Sequence, residues 1–165
     1  MTPLTTPPVL LDHAGIARLV PHSGTMCLLD ALWSWSPDDI VCRAVGHTDP
    51  AHPLRTASGL LAACAIEYAA QAMALHGGLR AGGPGSAAES EVAAGYLASA
   101  RNVRCHVVRL DDVAGPLRIQ ATRVAGDGHQ ALYQFTLHDD STDRLLVAGR
   151  AAVVLNTPVA PPLVN

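Results

Sequence analysis

The spacing of hydrophobic positions along this chain changes character once, near residue 80. Before that point a short helical pattern covers 12–20, with Asp12 placed to cap it. The apolar runs MCLLDALWSW at 26–35 and DIVCRAVGHT at 39–48, separated by Pro37, then read as two strands. Trp33 and Trp35 are two residues apart, so in a regular strand they share a face, as core or dimer contacts. The segment after Pro50 and Pro53 differs. From about Gly59 to His76 it has no proline, is rich in Ala, Leu and Met, and meets the paired Gly77 and Gly78, which predicts a helix ending there. At about 1.5 Å per residue such a helix is roughly 27 Å long, enough to cross a domain. Its apolar residues lie on nearly every face, as in a helix enclosed by protein, and Glu67 and Gln71 at its centre argue against a membrane span.

Beyond AGGPGSAAESE at 81–91, too small and polar to pack and therefore a loop, the pattern turns to period two. It runs over 92–110, 116–125, 129–139 and 144–156, with GDG and DDST as turns. Two strands, one long enclosed helix and an antiparallel meander make an α+β plan in which a curved sheet wraps the helix. Proline-rich ends mark 1–9 and 157–165 as flexible tails, leaving one domain over 10–156.

Composition narrows the chemistry. With 165 residues, 49% hydrophobic and 15% charged, the chain suits a well-buried globular body. A formal charge of -3 excludes a nucleic-acid binder that works by neutralising many phosphates. Every basic residue is arginine, so lysine nucleophiles and Schiff bases are excluded. Cys27, Cys42, Cys64 and Cys105 lack paired spacing and read as reduced core residues, with no metal site or organic cofactor implied. The opening MTPLTTPPVLLDHAG lacks the basic start and apolar run of a secretory signal, so the cytoplasm is the expected location.

Three segments, in order, carry a family resemblance. IARLVPHSGTMCLLDAL at 16–32 resembles the opening of the β-hydroxyacyl-(acyl carrier protein) dehydratases, whose pattern is a leucine-rich turn, Pro-His, a short loop and an apolar strand ending in Asp. Glu67 and Gln71, within IEYAAQAMA, match that family's central-helix Glu and Gln. AGYLASARNVRCHVV at 94–108 is similar to its Ala-Gly and Arg-containing strand. The branch it resembles is associated with bacterial aryl-polyene or related pigment synthesis. The resemblance implies a hotdog fold and water elimination from 3-hydroxyacyl thioesters carried on the phosphopantetheine arm of an acyl carrier protein. It also implies at least a dimer, a homodimer or a heterodimer with a second hotdog subunit, because the family's histidine comes from one subunit and its helix carboxylate from the other. One departure stands against it. The Gly-His-Phe-Pro that precedes the family's central helix is absent, and TDPAHPLRTASG occupies 48–59. His52 is the one histidine in that stretch, either a displaced equivalent or an unrelated loop residue.

Eliminating water from such a thioester needs a base for the α-proton, an acid for the leaving hydroxyl and donors for the charge developing on the thioester oxygen. Glu67 is the first candidate, as the acid, because a carboxyl within an apolar helix costs stability unless protonated or hydrogen-bonded. His52 is the candidate base. Gln71, one turn after Glu67, either orients it or binds substrate, or serves packing alone. Gly59, at the expected helix start, allows a substrate close approach, and Arg55 is placed for the thioester or a phosphate. Arg101 and Arg104 either form a basic rim for the carrier protein or are solvated edge residues. His22, in a turn, and His76, at a helix end, read as structural. Three functions fit: a dehydratase, a non-catalytic hotdog subunit paired with an active dehydratase, and a thioesterase of the same fold.

Overall fold

The computed structural model describes residues 6–82 and 95–154. The tails expected at 1–9 and 157–165 and the loop expected at 81–91 lie largely outside these residues. A short β1 (Leu11–Asp12) leads into α1 (His13–Ala17), then β2 (Ala31–Trp35), β3 (Asp39–Ala44) and α2 (Ala65–Arg80). The meander follows as β4 (Tyr96–Cys105), β5 (Leu117–Gly126), β6 (Gln130–Asp139) and β7 (Arg144–Val154). All pairings are antiparallel, in one seven-stranded sheet of order β1-β2-β3-β5-β6-β7-β4.

Period two decides which sheet face meets the helix. Ile40, Cys42 and Ala44 of β3, Leu117, Ile119 and Ala121 of β5, and Tyr133, Phe135 and Leu137 of β6 are buried while their neighbours are more exposed. They close on Ala65, Tyr68, Ala69, Ala72, Met73 and Leu75 of α2 in one core. The alanines let the sheet backbone curve close around the helix. This is the expected arrangement, a curved antiparallel sheet wrapped around one central helix.

Both ends of α2 depart from expectation, for identifiable reasons. Bonds to 108–111 keep the chain at 60–62 out of the helix: Leu110 N–H donates to Leu60 O (2.8 Å), Ala62 N–H to Val108 O (2.9 Å), and Leu60 N–H to the Asp111 carboxylate (2.9 Å). A 3-10 turn at Ala62–Cys64 then opens the helix. At the other end α2 runs through Gly77 and Gly78 to Arg80. Glycine costs a helix about 1 kcal/mol relative to alanine, but burial of Leu79 offsets it, and a β-carbon at position 78 would stand 3.2 Å from Leu19 O. That glycine marks a close approach, not a stop.

The other corrections are local. Asp12 caps α1 through Gly15 N–H (2.9 Å), but the helix ends at Ala17. β2 begins only at Ala31, since Gly24–Met26 form a 3-10 turn and Leu28 N–H is taken by the Gln71 side chain. At Trp33 the β2–β3 register slips by one residue, a bulge that breaks the alternation, so Trp33 and Trp35 do not share a face. Trp33 is buried beside an outer groove of about 630 Å³ with Val41 and Arg118, whereas Trp35 is exposed. Of the cysteines, all free, Cys27 and Cys42 are core, Cys64 is half-buried and Cys105 is exposed on β4. Among the described residues no helix is long and apolar enough to cross a membrane.

Candidate functional site

The first half of α2 carries two polar groups on adjacent residues, Glu67 and Tyr68, which a helix sends about 100° apart. Glu67 is not fully buried: its side chain is 31% exposed. Its Oε1 lies 3.0 Å from Gln71 Nε2 and 2.9 Å from His22 Nε2. Gln71 is fully buried and wholly engaged, for its Oε1 accepts from Leu28 N–H (2.8 Å) and its Nε2 donates to Met26 O (2.6 Å) as well as to Glu67. The side chain therefore ties the 26–28 segment to the helix and presents an N–H to the carboxylate. Its contacts serve two of the roles open to it in the sequence, packing of the 26–28 segment and orientation of Glu67.

Tyr68 faces a different partner. Its hydroxyl lies 2.9 Å from His52 Nε2, with the two rings stacked at 6.0 Å. Leu54 N–H donates to His52 Nδ1 (3.1 Å), which leaves Nε2 as the protonated nitrogen of the neutral ring. Burial first, then neighbouring His47, pushes the His52 imidazole below its ordinary range and favours that neutral form, while burial pushes the Tyr68 phenol up. His52 and Tyr68 open on a cavity of about 200 Å³ that Thr25, Cys27, Leu28 and Asp30 also line. Glu67 is not among its walls, so one chain keeps the glutamate and the histidine in separate groups.

A third cluster holds Arg55 and Gly59. The Asp111 carboxylate, almost wholly buried, takes Arg55 Nη2 at 3.2 Å and Arg109 Nη2 at 2.5 Å, and the Arg109 bond above all holds it well below the usual carboxylate range. Gly59 adopts φ +93, and a β-carbon there would lie 2.5 Å from Arg109 Nε. Its glycine character thus answers to a turn and to Arg109, and it stands before the helix, not at its start. Arg101 and Arg104 are exposed on β4.

His22 is what the reading of residues left out. It stood inside the Pro-His motif that carried the resemblance, yet its position in a turn suggested only structure. The fold brings its side chain, 26% exposed, to 2.9 Å from the one carboxylate of the central helix. His47, buried with Nε2 on Val113 O (2.8 Å), also went unmarked, since a lone histidine beside a turn has no sequence signal.

A curved antiparallel sheet around one helix, with a polar group on that helix, defines a hotdog-fold protein, and known structures share it. A chain of the dehydratase heterocomplex ApeI:P from Xenorhabdus doucetiae matches with a TM-score of 0.73 at 23% identity, over 87% of this chain and 91% of that one. AziG of S. sahachiroi matches at 0.57 and 14%, over 83% and 97%. The thioesterase HI1161 of Haemophilus influenzae matches at 0.54 and 14%, over 80% and 81%. No curated protein matches. The family model described as ApeP dehydratase matches residues 14–160, and the chain belongs to this ApeP-like dehydratase family.

Proposed function

We propose that this protein takes part in eliminating water from 3-hydroxyacyl thioesters on an acyl carrier protein, giving 2-enoyl thioesters, in cytoplasmic fatty-acid-like or polyene pigment synthesis. The observation that carries the reading is Glu67: a partly exposed carboxylate on the central helix, hydrogen-bonded to the buried Gln71 amide. His52 is the second acid–base group. The local hydrogen bonds favour Glu67 as proton acceptor and His52, through Nε2 and the Tyr68 hydroxyl, as donor in the resting state, which exchanges the roles suggested by the sequence alone. Arg55, beside Arg109, offers a guanidinium to the phosphate of the carrier arm, and Gly59 leaves room beside that pair.

A second hotdog subunit completes the site in this reading. Glu67 and the His52 cavity are separate within one chain, as expected if each site takes one group from either subunit. β4 is a sheet edge of ten residues with Tyr96 and Leu97 exposed, a surface that natural proteins normally cover. The ApeI:P structure is a heterocomplex, and a comparable partner is proposed here. The same facts favour one other reading, a subunit that scaffolds an active partner: the Gly-His-Phe-Pro segment is missing, and His52 is engaged with Leu54 and Tyr68.

The deciding experiment incubates the purified chain, alone and with a co-purified hotdog partner, with 3-hydroxyacyl and 2-enoyl carrier-protein thioesters and follows the mass of water lost or gained. Interconversion that fails in Glu67→Gln supports the dehydratase with Glu67 in its site. Interconversion by the complex that Glu67→Gln leaves intact assigns the chemistry to the partner. Release of free acid would make the protein a thioesterase.

A further inference from the structure

The acid–base reading uses Glu67 and His52 and leaves His22 without a role. We propose that His22 is a positioning residue: with Gln71 it holds Glu67 Oε1, so that Oε2 is the oxygen that exchanges a proton with the substrate. The inference rests on the reading of Glu67 given above and assigns the geometry of that site.

The hydrogen bonds around the carboxylate leave little freedom. Leu28 N–H and Met26 O make opposite demands on the Gln71 amide and fix which end faces Glu67, so a donor, Nε2, must point at Oε1. Oε1 then meets His22 Nε2 at 2.9 Å. Two groups on one carboxylate oxygen, with no protein group bonded to Oε2 among the described residues, divide the carboxylate into a held oxygen and an available one. His22 is itself constrained, since Pro21 restricts the backbone before it and its Nδ1 is buried with no hydrogen-bond partner. A proton on Nδ1 would be a buried, unpaired N–H, so the proton that His22 presents to Glu67 stands on Nε2. His76 bonds the core through both nitrogens, whereas His22, like His47 and His138, leaves a buried Nδ1 unpaired. His22 has one partner, and that partner is the candidate catalytic group.

The test compares three substitutions, made in the chain and assayed with its hotdog partner where turnover requires one. His22→Gln places an amide N–H where Nε2 stands, His22→Asn places one near Nδ1, and His22→Phe keeps the ring without a donor. A misplaced reacting group costs up to about 10²-fold, so kcat should fall about 10- to 100-fold in His22→Phe and His22→Asn with KM changed less than about 2-fold, whereas His22→Gln should recover most of the loss. Equal losses in all three, or a loss confined to KM, would overturn the proposal. Thermal melting of each variant separates misfolding from misplacement. Nitrogen-15 NMR of histidine-labelled protein gives a reading independent of turnover: His22 should show a protonated Nε2 and a bare Nδ1, and Glu67→Leu should shift both. A proton on Nδ1, or signals unmoved by Glu67→Leu, would overturn the proposal even in a protein that turns nothing over. Full turnover in Glu67→Gln would instead remove the acid–base reading, with the NMR result still deciding what His22 holds.

Discussion

The two ends of α2 each pair with a histidine, and they solve the problem differently. Toward the C-terminus His76 is completely buried, its Nε2 donates to Ser36 O (2.8 Å) and its Nδ1 accepts from the Tyr133 hydroxyl (2.8 Å). The tautomer is fixed, every polar atom has a partner, and the cluster ties α2 to β6 and to the turn after β2. Toward the N-terminus His22 and Glu67 are partly open to solvent, and the carboxylate keeps an oxygen with no protein partner among the described residues. Satisfied polar groups in a core specify packing, while a polar group held in place but not satisfied is available to a ligand. Histidine type and helix proximity do not separate these cases; the partner does, a partly open carboxylate for His22 and a buried hydroxyl and a backbone carbonyl for His76.

The largest expected effect tests the open end. Glu67→Gln keeps size and hydrogen bonding but removes the proton acceptor, so turnover should fall by about 10²-fold or more. Stability should move by less than about 1 kcal/mol, because the side chain is partly exposed and still bonded. Steady-state kinetics and thermal melting on one preparation check both. Substitution at the closed end should do the reverse. His76→Leu leaves the Tyr133 hydroxyl unpaired in the core, at roughly 1–3 kcal/mol, and takes the partner from the part-buried Ser36 carbonyl, while kcat of the folded fraction stays within about 2-fold. Loss of turnover without loss of stability in His76→Leu would break the comparison. Gln71→Leu belongs between the two: it releases Leu28 N–H and Met26 O and frees Glu67, so stability should fall by about 2 kcal/mol and turnover with it.

Much of this was legible in the residues, and what was not has physical causes. Period two over β5 and β6 marked both as strands, because each meets the helix on one side only. Glu67 and Gln71 stood out because polar residues within an apolar helix need a reason. The start of α2 was illegible because bonds from Val108–Asp111, far along the chain, keep 60–62 out of the helix. Its end was misread because Gly78 serves close packing on Leu19, which local propensity cannot show. The bulge at Trp33 depends on the β3 register. His22 stayed hidden for the same kind of reason: 45 residues separate it from Glu67, and only the fold brings them together.

The smallest expected effect is a pH dependence that belongs to the closed end. Burial, ahead of the nearby Arg80 and Arg123, pushes His76 below its ordinary value of 6.5, against the opposing pull of the Ser36 carbonyl and Asp39. His52 and His138 are lowered too, again chiefly by burial. The unfolded chain therefore binds more protons than the folded one once pH drops to about 6.5. The stability tied to these neutral rings is complete above that value and is lost as pH falls from 6.5 toward their depressed folded values. For one such group the slope is at most about 1.4 kcal/mol per pH unit. Melting temperatures measured between pH 7.5 and 5.5 should decline toward acid in the wild type. They should decline less in His76→Leu, which has given up the ring that resists protonation. A curve equally steep in both would move the acid sensitivity to His52 and His138, placing it at the cavity and on the sheet instead of at the buried end of the helix.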